Sequence, residues 1–398
     1  MLNVLDLFAG CGGFSCGFLM TGKYNIVSAV EFNKDAALTY KNNHSETIIF
    51  EKDIRELSCS EFKNIDIIIG GPPCQGFSVA GKRNTEDPRN LLPYEYIRFV
   101  KEIKPKAFVL ENVKGMLSMN NGETFKDIVK KLKELDYEVS YKLLDISKYN
   151  VPQVRERIFI VGIRKDLDKT FSFPEPMNTT LTLFNAIGDI EETGNYETTN
   201  MYNHEIFTKV DENLYNLLGE GNMLCDTRHG SIHKHSWEIS LKGETTQKEK
   251  DILNAIAENR RKKIYGLKDG NPLSVDTIKE LSGHDDIAEE LEDLLHKEYL
   301  SKIGDKYDIH DRKINMGLRI FDRNKPMNTI TTQSGSNSTY AHYSKPRNLT
   351  VRELARIQTF PDNFIFYGNI KEQERQIGNA VPPVLASYIA EELHKNLA

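Results

Sequence analysis

The chain has 398 residues, of which 39% are hydrophobic and 28% charged, and its formal net charge is −6. This length predicts two domains, and the charge gives no overall attraction to a polyanion, so a nucleic-acid site would have to be a local basic face. No apolar run approaches the roughly 18 residues of a membrane helix, and the start, MLNVLDLFAG, lacks the features of a signal peptide. We therefore expect a cytoplasmic protein that does not bind membranes.

Short apolar strands alternate with amphipathic helices from residue 1 to about residue 165. The strand segments are NVLDLFAG, IVSAVEF, IDIIIGG, AFVLENV, EVSYKLLD and RIFIVGI, and helices such as Leu92 to Ile103 and Thr124 to Leu135 fall between them. This alternation predicts an α/β fold with a doubly wound, mostly parallel sheet.

The first strand leads into a glycine-rich turn, DLFAGCGGFS, at residues 6–15. A turn with Gly10, Gly12 and Gly13 between a strand and a helix is typical of a nucleotide-type cofactor loop, although a bare tight turn is the alternative. Glu31 ends the second strand about twenty residues later, where a carboxylate can bind both ribose hydroxyls. Asp53, in EKDI, lies in the region of the third strand. Two carboxylates at successive strand ends suggest an adenosine-type ligand; solvated loop charges are the alternative.

The segment IDIIIGGPPCQGFS, residues 65–78, joins a buried strand to a single cysteine. Ligands and catalytic groups of open α/β sheets gather at the carboxyl ends of strands. Two glycines permit a tight backbone path and two prolines stiffen it, so the Cys74 thiol would be held in a defined place. The alternative is a buried structural cysteine. The other cysteines, Cys11, Cys16, Cys59 and Cys225, form no disulfide framework and fit a reducing compartment.

Two further segments carry charged residues at strand ends. Glu111 follows the apolar AFVL, within predicted reach of Cys74, and burial there would raise its pKa and let it donate a proton near neutrality. In QVRERIF, Arg155 and Arg157 alternate at the start of a strand, which sends both to one face. They could bind a phosphate or a carbonyl oxygen, or form a surface pair.

The sequence changes character after FSFPEP. From about residue 175 to 325 it is polar and charged, with a capping-box-like Thr246 and Glu249 opening one helix and apolar residues at helical spacing in another (Ile287, Leu291, Leu294 and Leu295). Near the end, VRELARIQTF and QIGNAVPPVLASYIAEELHKNL are apolar again, and a last helix begins at Pro382-Pro383. We expect a catalytic domain of residues 1–172 completed by 372–398, and a smaller second domain with a hinge over 173–371.

Six segments, taken together and in their order along the chain, closely resemble the motif set of the cytosine-5 DNA methyltransferases of prokaryotic restriction-modification type. The segments are DLFAGCGGFS, GGPPCQGFS, ENV, QVRERIF, RELARIQTFPD and QIGNAVPP. The resemblance covers residues 1 to about 170 and 326 to 398. It implies a Rossmann-like, S-adenosylmethionine-dependent methyltransferase fold with a DNA-recognition domain. The charged stretch occupies the place of the family's variable target-recognition region.

The resemblance assigns roles to matching positions. Cys74 would attack carbon 6 of cytosine, and Glu111 would protonate ring nitrogen 3, so that carbon 5 accepts the methyl group. The base that removes the carbon-5 proton is not identified. Arg157 would contact the base oxygen, and Arg155 would order the loop or a phosphate. The residues that match the methyl-donor pocket are Phe8, Gly10, Gly12, Glu31, Asp53, Pro73 and Asn379.

The chemistry requires a cytosine that has left the duplex. The segment SVAGKRNTEDPRNLLP resembles the family's mobile catalytic loop closing on DNA, and PMNTITTQSG resembles the segment that leads from the recognition region to the hinge. The predicted DNA contacts in these segments and beside Cys74 are Gln75, Ser78, Lys82, Arg83, Arg89, Thr331 and Gln333.

The segment CDTRHGSIHKHSW holds Cys225, His229, His233 and His235, a spacing that could suggest zinc. We expect no metal, because there is no CxxC pair and Gly230 interrupts any helix. Arg228 and His229 are predicted as base or phosphate contacts, with Lys234 and His235 as further candidates. The cluster ENRRKK, residues 258–263, is either a DNA-backbone contact or a solvated helix end.

The leading hypothesis is an enzyme that methylates carbon 5 of a flipped-out cytosine within a specific duplex DNA sequence, using S-adenosylmethionine and no metal. We expect a monomer whose functional partner is a cognate restriction endonuclease. A tRNA cytosine-5 methyltransferase is a close alternative, since it shares the catalytic motifs. A catalytically silent DNA-binding protein and a nicotinamide dehydrogenase fit less well, because Cys74 and Glu111 are present and the dinucleotide GxGxxG is not.

Overall fold

The structure, a computed structural model, describes residues 1–73, 91–193, 210–266, 270–310, 317–330 and 340–397, with the backbone alone for 191–193. Contacts within the chain divide it into two compact units. The first consists of Met1–Glu205, Asn324–Thr332 and Thr350–Ala398, and the second of Ile206–Arg323 and Gln333–Leu349. That residues 173–371 act as one recognition domain stays a prediction.

The elements are numbered in chain order. The strands are β1 Leu2–Leu7, β2 Tyr24–Val30, β3 Ile48–Phe50, β4 Ile67–Gly70, β5 Ala107–Val113, β6 Tyr137–Asp145, β7 Gln153–Val154, β8 Glu156–Arg164, β9 Met223–Leu224, β10 His233–Lys234, β11 Leu273–Ser274, β12 Leu300–Ile303, β13 Lys306–Ile309, β14 Arg319–Ile320, β15 Met327–Asn328 and β16 Tyr340–Ala341. The helices are α1 Gly13–Met20, α2 Lys34–Asn43, α3 Leu92–Ile103, α4 Glu123–Glu134, α5 Leu183–Thr193, α6 Glu212–Leu218, α7 Gln247–Asn259, α8 Val275–Ser282, α9 Ala288–His296, α10 Val351–Ile357, α11 Ile370–Asn379 and α12 Pro383–Leu397.

A seven-stranded sheet in the order β3-β2-β1-β4-β5-β8-β6 forms the centre of the first unit. The strands from β3 to β5 are parallel, whereas β8 runs antiparallel to β5 and β6 antiparallel to β8. The predicted α/β class with a mostly parallel sheet is confirmed. All six predicted strand segments are present. The third strand expected before Asp53 is β3, in the segment TIIF; its bounds were not predicted, because three residues are too short for a periodic signal.

Apolar clusters cover both faces of the sheet. Helices α3 and α4 pack on one face, and α1 and α12 pack on the other. The Tyr24 hydroxyl in β2 donates to the Ala390 carbonyl in α12 at 2.7 Å. The predicted last helix is present as α12, and it packs in the same apolar cluster as Val4 of β1. The parallel arrangement brings the carboxyl ends of β1, β2, β4 and β5 to one edge of the sheet.

The second unit has its own core. Helices α7, α8 and α9 pack with the antiparallel β11-β13-β12 sheet around the buried Trp237. The predicted capping box of Thr246 and Glu249 is confirmed at the start of α7. The predicted helical spacing is confirmed in the acidic helix α9 (AEELEDLLH), since Ile287, Leu291 and Leu294 are buried and Leu295 packs against the same cluster.

In the part of the chain that the structure describes, no helix is long and apolar enough to cross a membrane.

Asp6 is a carboxyl group within the sheet, and its side chain is 1% exposed. The Ser15 hydroxyl donates to Asp6 Oδ2 at 2.6 Å and lies 2.7 Å from the Tyr40 hydroxyl. Asp6 Oδ1 has no hydrogen-bond partner among the described residues. Burial raises the pKa of Asp6 to about 7, although the Ser15 hydrogen bond opposes the shift.

This pKa predicts how stability depends on pH. An aspartate in the unfolded chain has a pKa near ~4, so between that pH and about 7 the folded state binds one more proton at Asp6 than the unfolded state. The free energy of unfolding therefore falls as pH rises through this window. Relative to Asp6→Asn, which cannot titrate, the wild type should lose stability from pH ~5 to ~8, with a slope of at most about 1.4 kcal/mol per pH unit.

Urea denaturation of both proteins across this pH range measures the difference. Asp166→Asn is the matched control, because the Arg164 hydrogen bond lowers the pKa of this exposed carboxyl and moves its titration below the window. Parallel stability curves for the wild type and Asp6→Asn would contradict the expectation.

Candidate active site

The loop between β1 and α1 holds three residues in the left-handed region of backbone conformation. Phe8 has φ 57°, Gly10 has φ 57° and Gly12 has φ 95°. A residue other than glycine is strained in this backbone conformation, so Phe8 marks a locally constrained turn. A Cβ added at Gly12 would meet the His44 ring, whereas one added at Gly10 would meet nothing within 4 Å. The loop is thus packed at Gly12 and open at Gly10.

Glu31, at the carboxyl end of β2, holds this loop. Its two carboxylate oxygens accept hydrogen bonds from the Gly10 N–H at 2.8 Å and the Asn33 N–H at 2.7 Å. Burial raises the pKa of Glu31, and these backbone N–H groups oppose the shift. The adjacent Phe32 is 73% exposed. Sequence reasoning missed Phe32; its signal was an aromatic residue directly after the acidic end of a strand.

Asp53 has a partner within its own turn. Its carboxylate accepts from the Arg55 backbone N–H at 3.0 Å and from the Arg55 side chain at 2.9 and 2.5 Å. The Arg55 hydrogen bond lowers the pKa of Asp53. A ligand at Asp53 would therefore share the carboxylate with Arg55 or displace it.

Glu111 and Arg157 form an ion pair at the sheet edge. The pair arises because β5 and β8 are antiparallel neighbours with Val113 opposite Arg157. Arg157 Nε lies 2.9 Å from Glu111 Oε1, and Glu111 is 8% exposed. Burial raises the pKa of Glu111, while the charges of Arg157 and Arg155 oppose the shift. The site thus holds a carboxyl group that keeps its proton to a higher pH than a solvated glutamate does.

The chain that leads to Cys74 passes directly beside this pair. A Cβ built on Gly71 would lie 3.0 Å from Glu111 Oε2. The Asn112 side-chain amide donates to the Pro72 carbonyl at 2.9 Å, and the half-buried Pro73 ends the described segment. Asn112 was missed by sequence reasoning, although it is the middle residue of the ENV motif. Cys74 itself lies outside the described residues.

Arg155 faces inward, where it braces the segment between α11 and α12. It is 2% exposed and donates to the carbonyls of Gly378 at 2.8 Å, Ile330 at 3.4 Å and Ala380 at 3.5 Å. These contacts flank Asn379, which is exposed at the end of α11. These hydrogen bonds hold the backbone on both sides of Asn379 against the start of β8.

A chain of glutamines supports the same segment and was also missed. The Gln153 amide donates to the Gln358 side-chain oxygen at 2.6 Å, and Gln358 donates to the Ala380 carbonyl at 2.7 Å. Both glutamines are buried. Each lies in a motif of the sequence, but one-dimensional spacing gives no sign that residues 205 positions apart are partners.

In the second unit, Arg228 and His229 are exposed. His229 lies 3.2 Å from Glu258, and its ring stacks on His235, which stacks on Trp237 with centroids 4.3 Å apart. His235 is 1% exposed, so its ring is not accessible to a base, unlike the expectation. Among the described residues no group of three histidine, cysteine or carboxylate side chains is arranged to hold a metal ion.

The remaining predicted DNA contacts lie outside the described residues. They are Gln75, Ser78, Lys82, Arg83, Arg89, Thr331 and Gln333. Their roles stay predictions.

Comparison with known proteins identifies the family. A family model of C-5 cytosine-specific DNA methylases matches residues 2–395. The Type II methyltransferase M.BanI of Aneurinibacillus aneurinilyticus is 35% identical, over 99% of this chain and 96% of its own. The Type II methylase M.HgiEI of Herpetosiphon aurantiacus is 36% identical, over 96% of this chain and 94% of its own. A solved putative DNA modification methyltransferase from an E. coli prophage superposes with TM-score 0.60 at 25% identity, covering 100% and 99% of the two chains. The chain belongs to the C-5 cytosine-specific DNA methylase family.

Proposed function

We propose that the protein transfers the methyl group of S-adenosylmethionine to carbon 5 of a cytosine in a specific duplex DNA sequence, through a covalent bond to Cys74. The observation that carries the proposal is the buried Glu111–Arg157 pair, which lies beside the Gly71–Pro73 backbone that leads to Cys74. Relatives named Type II methyltransferases support a role in restriction-modification, in which the methyl group protects host DNA from a cognate endonuclease.

The environments of the other cysteines support Cys74 as the nucleophile. Cys11, Cys16, Cys59 and Cys225 are all buried. Burial raises the pKa of the Cys16 and Cys59 thiols to about 12 and also raises that of Cys11. The thiolate is the reactive form of cysteine, so these three are poor nucleophiles near neutrality.

The Glu111–Arg157 pair has the groups that a cytosine ring requires. A protonated Glu111 can donate to ring nitrogen 3, and Arg157 can donate to the ring carbonyl oxygen while it holds Glu111 in place. Protonation of nitrogen 3 withdraws electrons from the ring and favours attack of a thiolate at carbon 6. The raised pKa of Glu111 is suited to a proton donor, because burial favours its neutral form.

The proposed reaction forms and then breaks a bond between Cys74 and the cytosine ring. The Cys74 thiolate bonds to carbon 6, the ring double bond shifts, and nitrogen 3 takes the Glu111 proton. Carbon 5 is then an enamine-like nucleophile, and it accepts the electrophilic methyl group that S-adenosylmethionine would supply when bound; the bond between that methyl group and the sulfonium sulfur breaks, and S-adenosylhomocysteine leaves. Loss of the carbon-5 proton to a base and of the thiolate from carbon 6 restores the ring, while the proton on nitrogen 3 returns to Glu111.

The loop residues fit such a methyl donor. Glu31 uses one lone pair of each oxygen for a backbone N–H, so each oxygen keeps a second lone pair for a ribose hydroxyl. The exposed Phe32 ring beside it offers a flat apolar surface to an adenine. The open space at Gly10 admits the donor close to the backbone. Phe8, Gly12, Asp53, Pro73 and Asn379 are the further proposed contacts.

A cytosine within a duplex cannot reach these groups, so the base must leave the stack. We assign the proposed closing of the site over that base to the loop that carries Gln75, Ser78, Lys82, Arg83 and Arg89. Thr331 and Gln333 are the proposed contacts at the backbone or at the vacated position.

Cys74→Ser should abolish methyl transfer, because a hydroxyl is far less ionised than a thiol near neutrality. The measurement is transfer of labelled methyl from S-adenosylmethionine to plasmid DNA, with tRNA as a second substrate. Calorimetric titration should give nearly unchanged binding of the donor. Cys59→Ser is the matched control and should keep its activity, since that thiol is buried.

Two results would count against these assignments. Turnover of more than a few per cent in Cys74→Ser would exclude Cys74 as the nucleophile. Methylation of tRNA in preference to duplex DNA would replace the proposed substrate by RNA.

Glu111→Gln should lower the turnover number by about 10²–10⁴-fold, because it keeps the shape of the side chain and removes the proton donor. DNA affinity should be largely kept. The wild-type rate should fall toward alkaline pH as Glu111 loses its proton, and the glutamine variant should lack this limb. Rates measured from pH ~5 to ~10 test both points. Glu156→Gln, an exposed neighbour paired with Lys114, is the control; equal effects of the two substitutions would refute the role.

The residues that determine which DNA sequence is methylated should lie in the second unit, and we expect the exposed Arg228 to be one of them. Arginine can donate two hydrogen bonds to a guanine in the major groove. Arg228→Ala should relax the methylated sequence or cost about 1–3 kcal/mol of discrimination at one base pair. Glu289→Ala on the acidic helix α9 should leave the sequence unchanged. Bisulfite sequencing of plasmids modified by each variant makes the comparison, and a changed sequence with Glu289→Ala alone would overturn this assignment.

A further inference from the structure

The basic cluster at the end of α7 is divided by the fold into an inner and an outer part. Arg260 points inward, where its guanidinium lies 2.9 Å from Asp308 Oδ2 in a buried ion pair. Arg261, Lys262 and Lys263 are exposed. The cluster is therefore not a uniform solvated helix end, because one arginine anchors it and the other three cations face solvent.

The backbone of this turn is fixed at both ends. The Asn271 N–H donates to the Arg260 carbonyl at 2.7 Å, and the Asn271 side chain donates to the same oxygen at 3.1 Å. At the other end, a 3₁₀ turn closes with the Tyr265 N–H donating to the Lys262 carbonyl at 3.0 Å, and Tyr265 packs against the core of the unit. An ordered turn therefore presents residues 261–264 to solvent.

Ile264 is the exposed tip of this turn. Its side chain is 79% exposed, although isoleucine is a residue that proteins usually bury. Three exposed cations precede it directly in the chain, and the one carboxylate of the 258–265 segment, Glu258, lies 3.2 Å from His229. That contact also joins the end of α7 to the segment that carries Arg228.

We propose that the turn formed by residues 261–264 is a DNA-binding surface, in which Lys262 and Lys263 contact phosphates and Ile264 packs into a groove of the duplex. The proposal rests on the proposed function for the identity of the partner. A cationic, apolar-tipped turn matches duplex DNA in both respects, because phosphates attract the lysines and the groove offers apolar atoms such as thymine methyl groups. The contacts of the two lysines with phosphates do not depend on the base sequence.

Binding of a mixed-sequence DNA duplex, followed by fluorescence anisotropy at several salt concentrations, tests the lysines. Each phosphate contact adds about 0.9 to the slope of log affinity against log salt. The double variant Lys262→Ala/Lys263→Ala should therefore lower the slope by about 1.8. The control is Lys302→Ala/Lys306→Ala, which removes the same charge from the β12–β13 hairpin of the same unit and should leave the slope unchanged.

Ile264→Ala tests the apolar contact separately. It should leave the salt slope unchanged and raise the KM for plasmid DNA by up to about 50-fold, since the variant lacks three carbon atoms that the groove would bury. The kcat at saturating DNA should stay at the wild-type value, because Ile264 is not one of the groups proposed to take part in the chemical step. Ile303→Ala, an exposed isoleucine of the same unit, should change neither quantity.

The results separate this surface from the proposed function. Equal slope changes in both lysine pairs would overturn the phosphate contacts, because they would reflect net charge alone. A wild-type KM in Ile264→Ala would overturn the groove contact. The two proposals can also fail separately. If the wild type transferred no methyl group to DNA, but the Lys262/Lys263 variant still lowered the salt slope by about 1.8, the proposed function would be overturned and the DNA-binding surface supported.

Discussion

The ion pair of Glu111 and Arg157 is the interaction on which the candidate site depends. A buried carboxylate without a partner is costly, and removing one member of such a pair leaves an uncompensated charge in the interior. Arg157 lies 2.9 Å from Glu111 because β8 runs antiparallel to β5 at the end of an otherwise parallel series of strands. The reversed strand is thus the structural feature that supplies a cation to the carboxyl end of β5, where the parallel strands direct their loops.

A second arginine, two residues earlier, has a different role in the same region. Arg155 is bound by the carbonyls on either side of Asn379, so the last part of the chain is held against the start of β8. Cys11 in the glycine-rich loop donates to the Gln376 carbonyl at 3.6 Å, which joins the first motif to α11 as well. These contacts explain how residues near both ends of the chain come to border one site.

The motif order and the strand pattern predicted the six principal strands, the final helix and the family, because buried strands and glycine-rich turns leave strong local signals. Other features left none. Asp53 and His235 are polar residues in loops, and no local pattern distinguishes a free carboxylate from one bound to Arg55, or an accessible imidazole from one stacked on Trp237. Asn112 and Gln358 were missed because their partners are distant in sequence or are backbone atoms.

The sequence by itself determined the chemistry that the chain has available: one cysteine after a proline pair, a glutamate at the end of a buried strand, and two arginines with alternate spacing. These signals are local, since they depend on residue type and on the period of a strand. Only the tertiary structure decided that Arg157 faces Glu111 while Arg155 faces the Asn379 segment. It also decided that Arg260 is buried and Ile264 exposed. The physical reason is that burial and ion pairing are set by segments far apart in the chain, whose meeting no local pattern records.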